Sequence, residues 1–274
     1  MRVAGAIWDT QKFMPGFDCR TCRLALLLAA AALSPVAAQP APEPAAAGFL
    51  PRGETLSYGV EWRLIRAGAA KLIWDPAADN GARQVKLELQ SAGLVNTLYR
   101  VRDSYLAAVA GAFCTSTVSV HAEEGGRRRD TRITFDRETG KSSYLEQDLV
   151  KNTVASRKEI DISPCTHDVI TALFRLRTLR LPVGETMQFP VSDGKKFAQV
   201  RVVAQESEQV KTPAGKYQAI RYEVFLFNDI LYRRKGRFFV WLTDDELRVP
   251  VQIRARLQFH IGTITFQLEK QERM

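Results

Sequence analysis

The sequence predicts a mainly β fold, a curved antiparallel sheet or open barrel-like β-sandwich with one amphipathic helix packed on it. Three observations predict it. Apolar and polar residues alternate through most of the chain, the pattern of strands with one buried and one wet face. Turn residues punctuate these runs where an antiparallel meander needs them. Only the stretch from Cys165 to Leu181 carries a convincing helical spacing of apolar residues.

In chain order, Arg20 and Arg23 precede a ten-residue apolar run, Leu24 to Leu33, and Val36-Ala37-Ala38 supplies small residues for cleavage. Residues 1–38 read as a secretory signal peptide, with Met1 or Met14 as the start. The run is well short of the roughly 20 residues that span a bilayer, so the processed chain is not expected to cross one. Residues 39–52 are an Ala/Pro-rich linker, too poor in large apolar groups to pack. The setting expected is the periplasm.

Residues 53–274 form one antiparallel β domain. Tyr58, Val60, Trp62 and Leu64 share a face, as do Val85, Leu87 and Leu89, and later Val118 and Val120, then Ile133 and Phe135. After the helix the alternation returns in Val200 and Val202, then Ile220 to Leu226. It is cleanest at Val251, Ile253, Ala255 and Leu257, opposed by Gln252, Arg254 and Arg256. Asp79-Asn80-Gly81, Asp136 to Gly140, Asp193-Gly194 and Thr212-Pro213-Ala214-Gly215 are the turns. About a dozen strands follow, in two halves hinged at the helix.

In the helix, Val169, Ile170, Leu173, Phe174 and Leu176 form one face. Ser163-Pro164 or Thr166 can cap its start, with Asp168 in the first turn, and Arg175, Arg177 and Arg180 suit its C-terminal dipole. Leu181-Pro182 ends it.

The net charge is +9, and loss of the leader, with four cations and two acids, leaves +7. Such a chain can meet anionic lipid, lipopolysaccharide or acidic glycan, or be merely soluble. Cys19 and Cys22 go with the leader, which leaves Cys114 and Cys165, 51 residues apart, as a disulfide in an oxidising compartment. The alternative is a zinc site of Cys114, His121, Cys165 and His167.

Several blocks in order resemble the exported bacterial domain-of-unknown-function 3108 family, from about Gly53 to Leu268. They are Gly53-Glu54-Thr55-Leu56-Ser57-Tyr58 leading to Trp62 and Ala67-Gly68; Val101-Arg102-Asp103; His167 to Phe174 with Arg177; Thr212 to Gly215; and Val240 to Asp245 followed by Arg248-Val249-Pro250-Val251. Thr171 stands where the resemblance leads one to expect serine. The resemblance implies an exported, sheet-rich domain and brings no activity with it.

Motifs for common enzyme classes are absent: no G-x-S-x-G elbow, no H-E-x-x-H, no phosphate-binding glycine loop. His121 and His260 fall on polar faces. An envelope hydrolase could use Asp103 and Asp168 as paired carboxylates if the helix docks over that strand; the favoured reading is structural, Asp168 at the helix start and Asp103 paired with Arg177 or Arg102. Asp244-Asp245-Glu246 lacks the alternating spacing of a calcium loop and reads as an exposed turn. Arg127-Arg128-Arg129 and Arg233-Arg234-Lys235 lie near turns without the aromatic interleaving that nucleic acid requires, so nucleic acid is not an expected partner. No cofactor is expected.

Phe225-Leu226-Phe227 and Phe238-Phe239-Val240 are apolar on both faces, which calls for a second covering layer or an apolar cavity. The expected function is non-catalytic binding of an apolar or amphipathic ligand, or of an envelope component. Trp62, Phe174, Phe225 and Trp241 are placed near the cavity, and Arg177 or Arg254 near an anionic head group. The expected partners are a lipid-like or glycan ligand and an envelope protein; a structural adaptor is the further alternative.

Overall fold

The computed structural model describes residues 50–75, 83–258 and 262–273. The leader, most of the linker, the Asp79-Asn80-Gly81 turn and His260 lie outside them. The strands are β1 (Glu54–Trp62), β2 (Ile65–Asp75), β3 (Arg83–Ser91), β4 (Val101–Ala110), β5 (Cys114–Glu124), β6 (Arg127–Asp136), β7 (Lys141–Asp148) and β8 (Thr153–Asp161). After the helix come β9 (Thr186–Ser192), β10 (Phe197–Thr212), β11 (Gly215–Val224), β12 (Gly236–Thr243), β13 (Pro250–Leu257) and β14 (Thr263–Arg273).

All fourteen join one antiparallel sheet in the order β8-β7-β6-β5-β4-β3-β2-β1-β14-β13-β12-β11-β10-β9. Each half is a simple meander, and the halves meet where β1 pairs with β14. The sheet is not closed: its two edges are β8 and β9, the strands that flank the helix in sequence. Alternation turns Leu56, Tyr58, Val60, Leu72, Val85, Ala107 and Val202 inward, all buried. Three of the expected turns join neighbours, Asp136 to Gly140 between β6 and β7, Asp193-Gly194 between β9 and β10, and Pro213-Ala214 between β10 and β11.

The expected helix is α2 (Val169–Arg177), shorter than the Cys165 to Leu181 stretch. Asp168 is its N-cap rather than a first-turn residue. The carboxylate accepts from Ile170 N at 2.7 Å and Thr171 N at 3.4 Å, and Thr171 Oγ1 accepts from Asp168 N at 3.0 Å, a reciprocal capping box. Thr115 Oγ1 adds a bond to the carboxylate at 3.1 Å and fixes the cap to β5. A second helix, α1 (Gly93–Leu98), connects β3 to β4 and was not expected; it is too short for a period to show, with only Val95 buried.

Because the strands alternate in direction, the connections fall at two ends. α2 lies across one of them. Its Phe174 ring sits 5.8 Å from Trp74 and 5.9 Å from Phe113, both near that end, and Arg177 reaches the start of β1 and the β12–β13 turn. Cys114 and Cys165, with Cα atoms 4.9 Å apart, are bonded and tie the approach to α2 to the β4–β5 turn. α2 therefore plugs one end of the curved sheet, and at the other end the β11–β12 connection turns inward and buries Leu226, Phe227, Leu231 and Tyr232.

Candidate functional site

The interior above the plug holds two adjoining cavities. The first, about 150 Å³, is almost wholly apolar. Val169, Ile170, Ala172, Leu173 and Leu176 form its floor from α2, and inward residues such as Leu72, Leu87, Val202, Phe238 and Ile253 form its wall. The amphipathic face that predicted the helix is thus only partly spent on close packing. The remainder borders open space.

The second cavity, about 130 Å³, shares Leu87, Leu89 and Val169 with the first and lies toward the gap between β8 and β9. Its lining is mixed. Arg129 and Tyr144 both bond to Glu146, Lys195 Nζ lies 3.4 Å from the same carboxylate, and Asp103, Tyr105, Asp168 and Asp193 complete the polar side. Burial, with Glu124 nearby, pushes the Asp103 carboxyl up to about 7. Burial also pushes the Tyr105 phenol well above its ordinary value, with Asp168 beside it adding to the effect. The interior therefore runs from a hydrocarbon-like compartment into a hydrogen-bonding one.

Asp103 and Asp168 both border this second cavity. Asp168 is occupied by two backbone donors and Thr115, whereas Asp103 accepts from Glu123 N at 3.2 Å on the inner side of β4.

The six residues expected near a ligand do not come together. Phe174 packs beneath the plug with Trp74 and Phe113. Arg177, fully buried, lies 2.6 Å from Glu54 and donates to the carbonyls of Leu247 and Arg248. Trp241 and Arg254 face outward, with the guanidinium 5.0 Å over the indole and Trp241 Nε1 bonded to Glu208. Phe225 lies 3.8 Å under Arg201, and Trp62 is half-buried beneath Arg63. None of the six lines the apolar cavity. Sequence reasoning missed its wall, Leu72, Leu87, Val202, Phe238 and Ile253, although their alternation was visible; aromatic size drew attention to the wrong face.

The zinc alternative is corrected. Cys114 and Cys165 are bonded to each other, His121 pairs with Asp130 on the outside of β5, and His167 Nδ1 meets the Phe113 carbonyl. Among the described residues no three metal-ligating groups converge.

The sequence pattern of the family described as "Protein of unknown function (DUF3108)" matches residues 57–269. The chain belongs to that family. Its blocks explain themselves in the fold: Glu54, Arg177 and Arg248 meet at the plug, and Thr243 with Asp245 builds the turn that receives Arg177. Among solved structures, a β-barrel-like protein of domain of unknown function DUF1849 from Brucella abortus is similar over 82% of this chain and 99% of its own. It has TM-score 0.52 and 8% identity, a likeness of fold alone. A putative exported protein with a YmcC-like fold from Bacteroides fragilis covers 83% of this chain and 100% of its own, at TM-score 0.33 and 12% identity. No curated protein matches this DUF3108 member.

Proposed function

We propose that this DUF3108 protein is a non-catalytic binder of an apolar or amphipathic ligand in the cell envelope, exported by its leader. One observation carries the reading: an apolar cavity floored by α2 adjoins a polar one through Leu87, Leu89 and Val169. Space of about 150 Å³ is of the size that takes up benzene in an apolar core, so one slender chain or ring fits it. The polar compartment receives the other end of such a molecule and satisfies its hydrogen bonds, which an apolar pocket alone could not do.

The test is titration of the delipidated protein with a fluorescent fatty acid. Ala172→Trp and Leu173→Trp, which fill the floor, abolish saturable binding while the fold survives by circular dichroism. Unchanged binding in both variants would overturn the reading, as would absence of saturable uptake in the parent protein.

A further inference from the structure

The ends of the curved sheet differ in what their connections expose. Ten large apolar side chains are exposed among the described residues, and seven belong to the end opposite the plug. Leu64 and Ile65 lie at the β1–β2 turn, Leu94 and Leu98 on α1, Leu149 and Val150 between β7 and β8, and Ile230 between β11 and β12. They ring the mouth on four separate connections. A single exposed leucine is ordinary; this concentration at one end is not.

Charge is divided in the same sense. At the mouth the connections carry eight cations against two acids, Asp193 and Asp229. Arg63, Arg100 and Lys151 lie on three of them, Lys195 and Lys196 on a fourth, and Arg233, Arg234 and Lys235 on a fifth. The described connections at the plugged end, α2 included, carry Arg137, Arg175, Arg177, Arg180 and Arg248 against six acids, three of them the run Asp244-Asp245-Glu246. The β1–β2 turn adds an independent sign. Arg63 and Leu64 both have positive φ, 49° and 70°, a turn in which Asn-Gly is usual. This chain places a leucine there that is 91% exposed.

We infer that this mouth is a docking surface for an anionic lipid bilayer. Leucines on short hairpin tips enter the head-group boundary while flanking Lys and Arg meet lipid phosphates. A bilayer accepts separated tips without matching their shape, whereas a protein partner requires one continuous complementary patch. Docking in this orientation turns the interior cavities toward the membrane and the plugged end, where charges nearly balance, away from it. The inference stands whether or not the cavities hold a ligand.

Flotation with vesicles of phosphatidylglycerol mixed with phosphatidylcholine, and of phosphatidylcholine alone, tests it. The protein partitions onto the anionic vesicles, roughly tenfold or more above the zwitterionic ones, and high salt removes the difference. Arg233→Glu with Lys235→Glu lowers partitioning roughly tenfold or more. Leu64→Asn with Leu94→Gln and Leu98→Gln, substitutions that suit the turn and helix, does the same, and Val183→Ser at the plugged end does not. In an otherwise intact protein, Leu94→Trp fluorescence shifts to the blue on anionic vesicles and Val183→Trp does not. No vesicle binding, binding indifferent to the mouth variants, or equal loss in Val183→Ser would overturn the inference. A concentration-dependent dimer without vesicle binding, dissolved by the mouth variants, would assign the surface to a second copy instead.

Discussion

The Arg177 guanidinium lies 2.6 Å from the Glu54 carboxylate, and neither side chain is exposed to water. Arg177 also donates to two carbonyls of the β12–β13 turn, and Gln271 donates to Glu54 at 2.7 Å. One residue of the plug thus holds the start of β1, the end of β14 and a turn of the second meander. Arg177→Met leaves Glu54 buried without its cation and lowers stability by about 3–5 kcal/mol in urea unfolding. Adding Glu54→Leu recovers a large part of that loss; if the double variant is as unstable as the single, the pair is not what holds the plug.

The Cys114–Cys165 bond closes a loop with a sequence separation of 51. Cys114→Ser with Cys165→Ser is expected to lower stability by about 3–4 kcal/mol. Dithiothreitol lowers the melting temperature of the parent protein toward that of the variant and leaves the variant unmoved. A parent insensitive to reductant would contradict this.

Asp103 makes stability depend on pH. Its folded value of about 7 lies above the ordinary 3.8, so the native state binds more protons across that interval. The stabilising contribution is therefore complete at low pH and lost as pH rises toward 7. Asp103→Asn keeps an oxygen for the Glu123 N–H but cannot ionise. The two proteins should match near pH 4, and at pH 8 the variant should be more stable by on the order of 1–3 kcal/mol in chemical denaturation. Equal stability at both pH values would place Asp103 in contact with water.

Gly194, with φ +82°, turns between β9 and β10 where a Cβ would lie 2.8 Å from Ile133 and 2.9 Å from Tyr144. Gly194→Ala should cost about 2 kcal/mol or more, from backbone strain and from forcing the turn off β6 and β7. Ile133→Ala should then cost less in the Gly194→Ala background than in the parent, a non-additivity that urea denaturation reads directly.

Much of the architecture was legible because its cause is local. Period-two alternation fixes which face of a strand is buried, and the apolar stripe with its basic C-terminal end fixes α2. The antiparallel sheet, the curved form and the Cys114–Cys165 bond follow from signals of that kind. What was not legible depends on neighbours distant in sequence. Phe239 and Trp241 imply a covering layer, and the cover is a set of guanidinium groups, Arg221, Arg254 and Arg256 from the adjacent strands with Arg237 from β12 itself. No periodicity in β12 could announce arginines on β11 and β13. Arg177 likewise looked available for a ligand because Glu54, its partner, lies more than a hundred positions away.

No backbone ladder joins β8 to β9. At the plugged end the gap is bridged by the segment before α2, where Thr115 N bonds to Thr166 O and His167 pairs with Val191; farther along, Gly194 rests against β6 and β7, Lys195 pairs with Glu146, and Lys158 Nζ donates to Lys195 O. The wall is a split ring, sprung at one place and hinged at the helix. Widening it breaks the side-chain bonds across the gap and spares every ladder between paired strands, so its bore can change without any strand leaving its neighbour. A closed barrel of the same strands would have a fixed gauge.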